Sequence, residues 1–205
     1  MQTNLQWHTH VTATLAKGRQ LLGLLKRLKE SNLSISALSK IYELYIRPRL
    51  EYASVAWSNL TQGQADQLER FQRKAAKVIL GYPLSSHVDH SFLLSCLQWH
   101  TLSSRRHVQL VLLAHKLYHK TAPSHLLAVT PPLYHPHTRI RHARVFIIPP
   151  ARTDAHLQSP ILKSCHLFNC LPDHIRKIPS YNEFRRQASS LILTSKCHCS
   201  SHIRT

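Results

Sequence analysis

Arg70, Arg73, Lys74 and Lys77 crowd one short stretch of this 205-residue chain. The chemistry open to such a row is the neutralisation of phosphate: guanidinium grips phosphate oxygens through a planar fork, and ammonium acts as a compact point charge. Arg105 with Arg106, and Lys26 with Arg27 and Lys29, form two further basic clusters. Residues suited to other chemistries are less well placed. The four aspartates, Asp66, Asp89, Asp154 and Asp173, stand in unrelated contexts and no two are adjacent. They offer no carboxylate set for the paired divalent metals of a polymerase or a two-metal nuclease. Seventeen histidines raise the question of zinc, with His8 and His10, His135 and His137, and Cys197, Cys199 and His202 as candidate ligands. A structural zinc site wants two ligand pairs across a packed loop, and none of these has a clean second pair. Cys96 has His100 one helical turn on but no orienting acid, so a Cys/His nucleophile is not expected. No glycine-rich phosphate loop is present to anchor nucleotide hydrolysis. The reading is of a binding protein with no catalytic residue, metal or cofactor.

The elements that must position these cations are helices. From about residue 5 to 29, Val11, Leu15, Gly18, Leu22 and Leu25 recur at three- and four-residue steps and share one face. Lys26, Arg27 and Lys29 sit at its C-terminal end, where cations suit the helix dipole. Ser34 or Ser36 can cap a second helix through Leu38, Ile41, Tyr42 and Tyr45, which Pro48 breaks or kinks before it resumes through Leu50, Tyr52, Ala53 and Trp57. From about Gln64 to Leu80, Leu68, Phe71, Ala75, Val78 and Ile79 fall in one sector, while the four cations fall on the opposite side. Gly81 and Pro83 stop that helix. Only Asp66 and Glu69, in its N-terminal part, offset the row. From about His90 to Lys120 one short and one long helix are expected, the long one apolar nearly all round and therefore central. Arg106 lies on its Leu113 face and needs a partner there. Tyr52 and Trp57 are expected in the core, although either ring could take a base.

After Pro123 the character changes. Prolines punctuate a region with short extended candidates such as Arg144 to Ile148, followed by a last helix from Tyr181 to Leu193. The predicted organisation is mainly α: a multi-helix, thumb-like bundle over 1–122, an irregular Pro-rich region with short strands and a final helix over 123–194, and a tail over 195–205. Lys and Arg outnumber Asp and Glu 27 to 9, for a net charge of +18. A surface this positive repels itself unless a polyanion is near, and nucleic acid is the commonest such partner. An anionic membrane surface binding residues 11 to 29 is the alternative. Five irregularly spaced cysteines do not form a secreted disulfide framework, and no signal peptide or membrane span is visible, so an intracellular protein is expected, nuclear or cytoplasmic.

Tyr45-Ile46-Arg47-Pro48-Arg49-Leu50-Glu51-Tyr52-Ala53-Ser54-Val55-Ala56-Trp57 resembles a signature downstream of the catalytic palm in reverse transcriptases of non-LTR (LINE-type, jockey-like) retrotransposons. The likeness continues in the family's order over about residues 5 to 193. The first helix, with Trp7, His10 and its basic leucine-rich pattern, is similar to the family's first helix after the palm. Leu68-Glu69-Arg70-Phe71-Gln72-Arg73-Lys74-Ala75-Ala76-Lys77-Val78-Ile79 resembles its "LE-x-VQRRA-x-R-x-I" helix. Leu97-Gln98-Trp99 with Leu102, Arg105 and Arg106 resembles its leucine-then-paired-arginine element. Lys116, Tyr118, Pro123 and Leu126, then Arg139, Arg141, Pro149, Arg152 and Thr153, follow the pattern onward. Phe168-Asn169-Cys170-Leu171-Pro172 stands where the family has "WN-x-LP", with phenylalanine for tryptophan.

The resemblance implies a thumb-like and C-terminal region without its palm, since no Phe/Tyr/Ala-x-Asp-Asp motif occurs. It implies sequence-independent hold on an RNA template and DNA primer, or an RNA–DNA hybrid, through phosphate contacts. Arg70, Arg73, Lys74 and Lys77 are the first candidates for those contacts, then Arg105 and Arg106, then Lys26, Arg27 and Lys29. A separate palm domain is the implied protein partner. The competing reading is a structural or interaction module, or a decayed element fragment, with no activity of its own.

Overall fold

The computed structural model describes residues 7–133, 145–150 and 153–194. They are mainly α-helical, as the patterning predicts, and no strand forms among them. Of the extended candidate Arg144 to Ile148, Arg144 lies outside the described residues. Phe146 meets Leu133 in a single isolated bridge rather than a ladder. The chain divides into two compact units between Ser103 and Ser104, not near residue 122. The reason is that the long helix Leu102–Tyr118 packs its second half with the C-terminal helices: His115 stacks on Phe184, and the Tyr118 ring lies tilted against Phe168.

In the first unit α1 (His8–Glu30) buries Val11, Leu15, Gly18, Leu22 and Leu25, the face its periodicity predicts. Then come α2 (Ile35–Ile41), a π-helical turn (Tyr42–Ile46), α3 (Arg47–Glu51), α4 (Gln62–Leu80) and α5 (His90–Leu97). Ser34 caps α2 by accepting from the Ala37 amide. The π turn lies directly before Pro48, which lacks an amide hydrogen and cannot continue a regular i→i−4 ladder. It has a packing consequence as well. Leu38, Tyr42, Ile46 and Leu50 are buried at strict four-residue steps, a spacing that would drift around a regular helix, and the wide turn returns the stripe to the core. Pro48 is therefore absorbed in a widened helical turn. The helix does not resume beyond Glu51 as expected: Tyr52 is extended and Ala53 is left-handed at φ 53°. The chain then folds back so that the Trp57 indole donates to the Tyr52 carbonyl at 2.8 Å. Trp57 is in the core as expected, but Tyr52 is 76% exposed.

α4 is locally over-determined. Thr61 and Gln64 form a reciprocal capping box at its start, and left-handed Gly81 closes its end. Its buried face includes Leu68, Phe71, Ala75, Val78 and Ile79. α1 and α4 run in the same direction. Trp7 bonds Asn59 just before α4, Gly18 meets the Phe71 ring, and the Lys29 stem reaches Gly81. Beneath them Tyr42 stacks on Trp99 at 4.1 Å, and the Trp99 indole donates to the Ser39 hydroxyl.

The second unit contains most of α6 (Leu102–Tyr118), then α7 (Ser124–Leu127), α8 (Asp154–Leu157), α9 (Pro160–Asn169), α10 (Asp173–Arg176) and α11 (Tyr181–Thr194). Its core is an aromatic cluster of Tyr118, Phe146, Phe168 and Phe184. Asn169 fastens the extended segment: its side-chain oxygen accepts from the Val145 and Phe146 amides, and its nitrogen donates to the Phe146 carbonyl.

Candidate nucleic-acid interface

Helices α1 and α4 leave a groove of about 430 Å³ between them. Arg19 and Lys26 line it from α1, Arg70 and Lys74 from α4, and its apolar floor includes Leu22 and Phe71. Helix geometry explains the convergence. Arg19 and Lys26 are seven residues apart, two turns on one face and about 10 Å along the axis. Arg70 and Lys74 are four apart, one turn on one face and about 6 Å along the axis. All four side chains are exposed. No carboxylate lines the groove, and no hydrogen bond or ion pair ties up any of the four among the described residues.

The acids of α4 are engaged elsewhere. Asp66 accepts from the Gln62 amide group at 2.9 Å. Glu69 accepts from the Ser103 backbone amide at 2.8 Å and faces the His90 ring at 3.4 Å. Among the described residues neither acid forms an ion pair with a cation of the row.

The predicted row of four is split. Arg73 and Lys77 line a second cleft of about 440 Å³ with the segment Leu84–His90. Lys77 is only 6% exposed. Its ammonium donates to the Leu84 carbonyl at 3.1 Å and the Ser86 carbonyl at 2.5 Å, so it fastens the chain after α4 rather than facing outward. Arg73 is half-buried, and its Nε is shielded from solvent without a hydrogen-bond partner. On the helix alone both residues point to solvent. They are covered because the chain beyond Gly81 doubles back over that side.

The remaining predicted cations are dispersed. Arg27 is exposed outside the groove, and the Lys29 stem packs near Gly81. Arg105 and Arg106 belong to the second unit and both have interaction partners within the protein. Arg106 is buried, as its place on an apolar face requires. Close by in charge terms, burial and then the nearby Arg106 lower the pKa of Lys163. Burial, then Lys163 and Arg106, pushes His107 down to about 4.

Other candidate chemistry finds less support. No metal-holding group of His, Cys, Asp or Glu occurs among the described residues. His10 instead packs between the Trp7 and Trp57 rings. His135, His137, Cys197, Cys199 and His202 lie outside the described residues. Cys96 and His100 do not share a helical face, because α5 ends at Leu97 and Gln98 turns left-handed at φ 55°. No described helix is long and apolar enough to cross a membrane.

Arg19 also lines the groove and is not among the cations expected to meet phosphate. The available signal was its seven-residue spacing from Lys26. No protein-family model, curated protein or solved structure matches the chain.

Proposed function

We propose that the first unit holds nucleic acid by its phosphates, as the thumb-like region of a non-LTR retrotransposon reverse transcriptase would hold template and primer beside a palm. The observation that carries this reading is the α1–α4 groove, with four unengaged cations, no carboxylate and an apolar floor. Each phosphate that meets such a cation releases condensed counterions, which gives affinity without sequence readout. The ordered resemblance over residues 5 to 193 supports an RNA–DNA hybrid as the ligand. Polymer synthesis would fall to a separate catalytic domain, since no aspartate pair in this chain suits two-metal chemistry.

The test is to titrate the whole chain with an RNA–DNA hybrid over a range of salt. Four phosphate contacts give a slope of log affinity against log salt of about −3 to −4. Reversing Arg70 and Lys74 together (R70E/K74E) lowers affinity for every sequence and flattens the slope by about 2. Salt-independent binding, or a double variant that binds like the parent protein, overturns the reading.

A further inference from the structure

The segment most similar to the retrotransposon signature carries a second surface. Around the α2–α3 rod, outside the buried Leu38–Leu50 stripe, Lys40, Leu44, Tyr45, Pro48, Arg49 and Tyr52 are all exposed. Tyr45 is 64% and Tyr52 76% exposed. Large aromatic rings standing this far into water are unusual, because burial of a tyrosine's apolar body is favourable. Arg49 follows Tyr45 by four residues, and Tyr52 stands just past the end of the rod at Glu51. Two carboxylates border the face. Glu43 is paired with Arg47 at 3.7 Å, and Glu51 is engaged within the protein.

We infer that this face is a stacking platform for an unpaired nucleic-acid strand. Tyr45 and Tyr52 each offer a ring to one base, and Arg49 meets an intervening phosphate. Interleaved aromatic and basic side chains are what sequence-tolerant single-strand binding uses, because every base has a π-face and every linkage a charge. The net charge of +18 favours a polyanion here over an apolar protein surface. The inference rests on the nucleic-acid reading above but uses different residues and a different form of the ligand. The groove takes phosphates of a hybrid, and this face takes exposed bases.

The experiment measures binding of the full chain to a labelled oligothymidylate and to a blunt RNA–DNA hybrid. The variants are Tyr45→Ala, Tyr52→Ala, the matching phenylalanine substitutions and R70E/K74E. Each alanine variant is expected to lose roughly 5- to 150-fold affinity for the single strand and to keep its affinity for the hybrid within about twofold. The phenylalanine variants retain single-strand binding, since stacking needs the ring and not the hydroxyl. Both tyrosines are exposed, so truncation spares the core, and an unchanged thermal midpoint verifies that. Alanine variants that bind oligothymidylate like the parent overturn the inference and leave the face as a protein-docking surface. Tyrosine-dependent single-strand binding together with an unaffected R70E/K74E overturns only the groove. A parent protein that binds neither probe overturns both.

Discussion

Two basic clusters of this protein meet opposite fates. In the first unit Arg19, Lys26, Arg70 and Lys74 stand in water along a groove with no acid among them. In the second unit Arg106, His107 and Lys163 are drawn inward, and desolvation with mutual repulsion lowers the pKa of both His107 and Lys163. Counting charges treats the clusters alike. What separates them is the distance between the charge and the apolar stripe of its own helix. On α6, Arg106 is flanked one turn away on either side by the buried Leu102 and Leu110, whereas Lys116 on the same helix stays exposed. On α1 and α4 the groove cations Arg19, Lys26, Arg70 and Lys74 lie off the buried residues and stay exposed. A free cation can be given to a ligand. A desolvated one is already committed to the fold.

The largest effect expected of this difference is a response of the second unit to acid. In the unfolded chain His107 would titrate near 6.5, whereas in the fold it titrates near 4, with burial as the leading cause. Between those values the unfolded state binds the extra proton, so stability rises with pH and is lost as pH falls through the window. His115, also lowered mainly by burial, acts in the same direction. From pH 7 to pH 4 the second unit should lose about 1–3 kcal/mol from His107 alone. Hydrogen exchange in α9 and α11 would report it. All three tryptophans, Trp7, Trp57 and Trp99, belong to the first unit, so indole fluorescence follows that unit separately. His107→Gln should flatten the acid response of the second unit. An unaltered response would show that His107 is not the desolvated group.

A smaller effect divides the α4 row itself. Lys77→Met removes the ammonium that bonds the Leu84 and Ser86 carbonyls, and should cost about 1–2 kcal/mol in stability. Its effect on phosphate binding should be slight. Lys74→Met should do the reverse: stability within about 0.5 kcal/mol of the parent, and a salt slope flattened by about 1. Chemical denaturation and hybrid titration on both variants check the pair. If Lys77→Met weakened binding as much as Lys74→Met, the carbonyl contacts would open in the presence of ligand and the row would act as one.

Much of this was legible in the sequence because it is local. The buried faces of α1 and α4 follow from residue spacing, and the end of α4 from Gly81. The extent of α11 agrees with the expected helix from Tyr181 to Leu193 to within one residue. What was not legible depends on residues far along the chain. Lys77 sits on the polar side of its helix by any helical projection, and only the return of Leu84–His90 covers it. Tyr52 reads as a continuation of an amphipathic helix, yet the left-handed Ala53 turns the chain and sends Trp57 inward in its place. Arg19 and Lys26 gain their meaning from α4, which no pattern within α1 announces. The boundary near 122 was inferred from composition, whereas packing of α6 moves it to Ser103 and Ser104.

The finest test concerns what sets the width of the groove. α1 contains two glycines that look equivalent by propensity, since either replaced by alanine should stabilise a helix interior by up to about 1 kcal/mol. Their surroundings differ. A Cβ on Gly23 would meet nothing within 4 Å, whereas one on Gly18 would lie 3.0 Å from the Phe71 ring. Phe71 is buried at the crossing of α1 and α4 and is a rigid plane, so α1 must yield or the ring must turn. Gly23→Ala should therefore raise stability by about 0.5–1 kcal/mol and leave phosphate binding intact. Gly18→Ala should gain less by about 1 kcal/mol, and by parting the helices should weaken hybrid binding as Arg70 and Lys74 move from Arg19 and Lys26. Equal stabilisation by both substitutions, with binding unchanged, would mean that the close approach at Gly18 does not hold the four cations in register. The contrast between the two basic clusters would then rest on exposure alone.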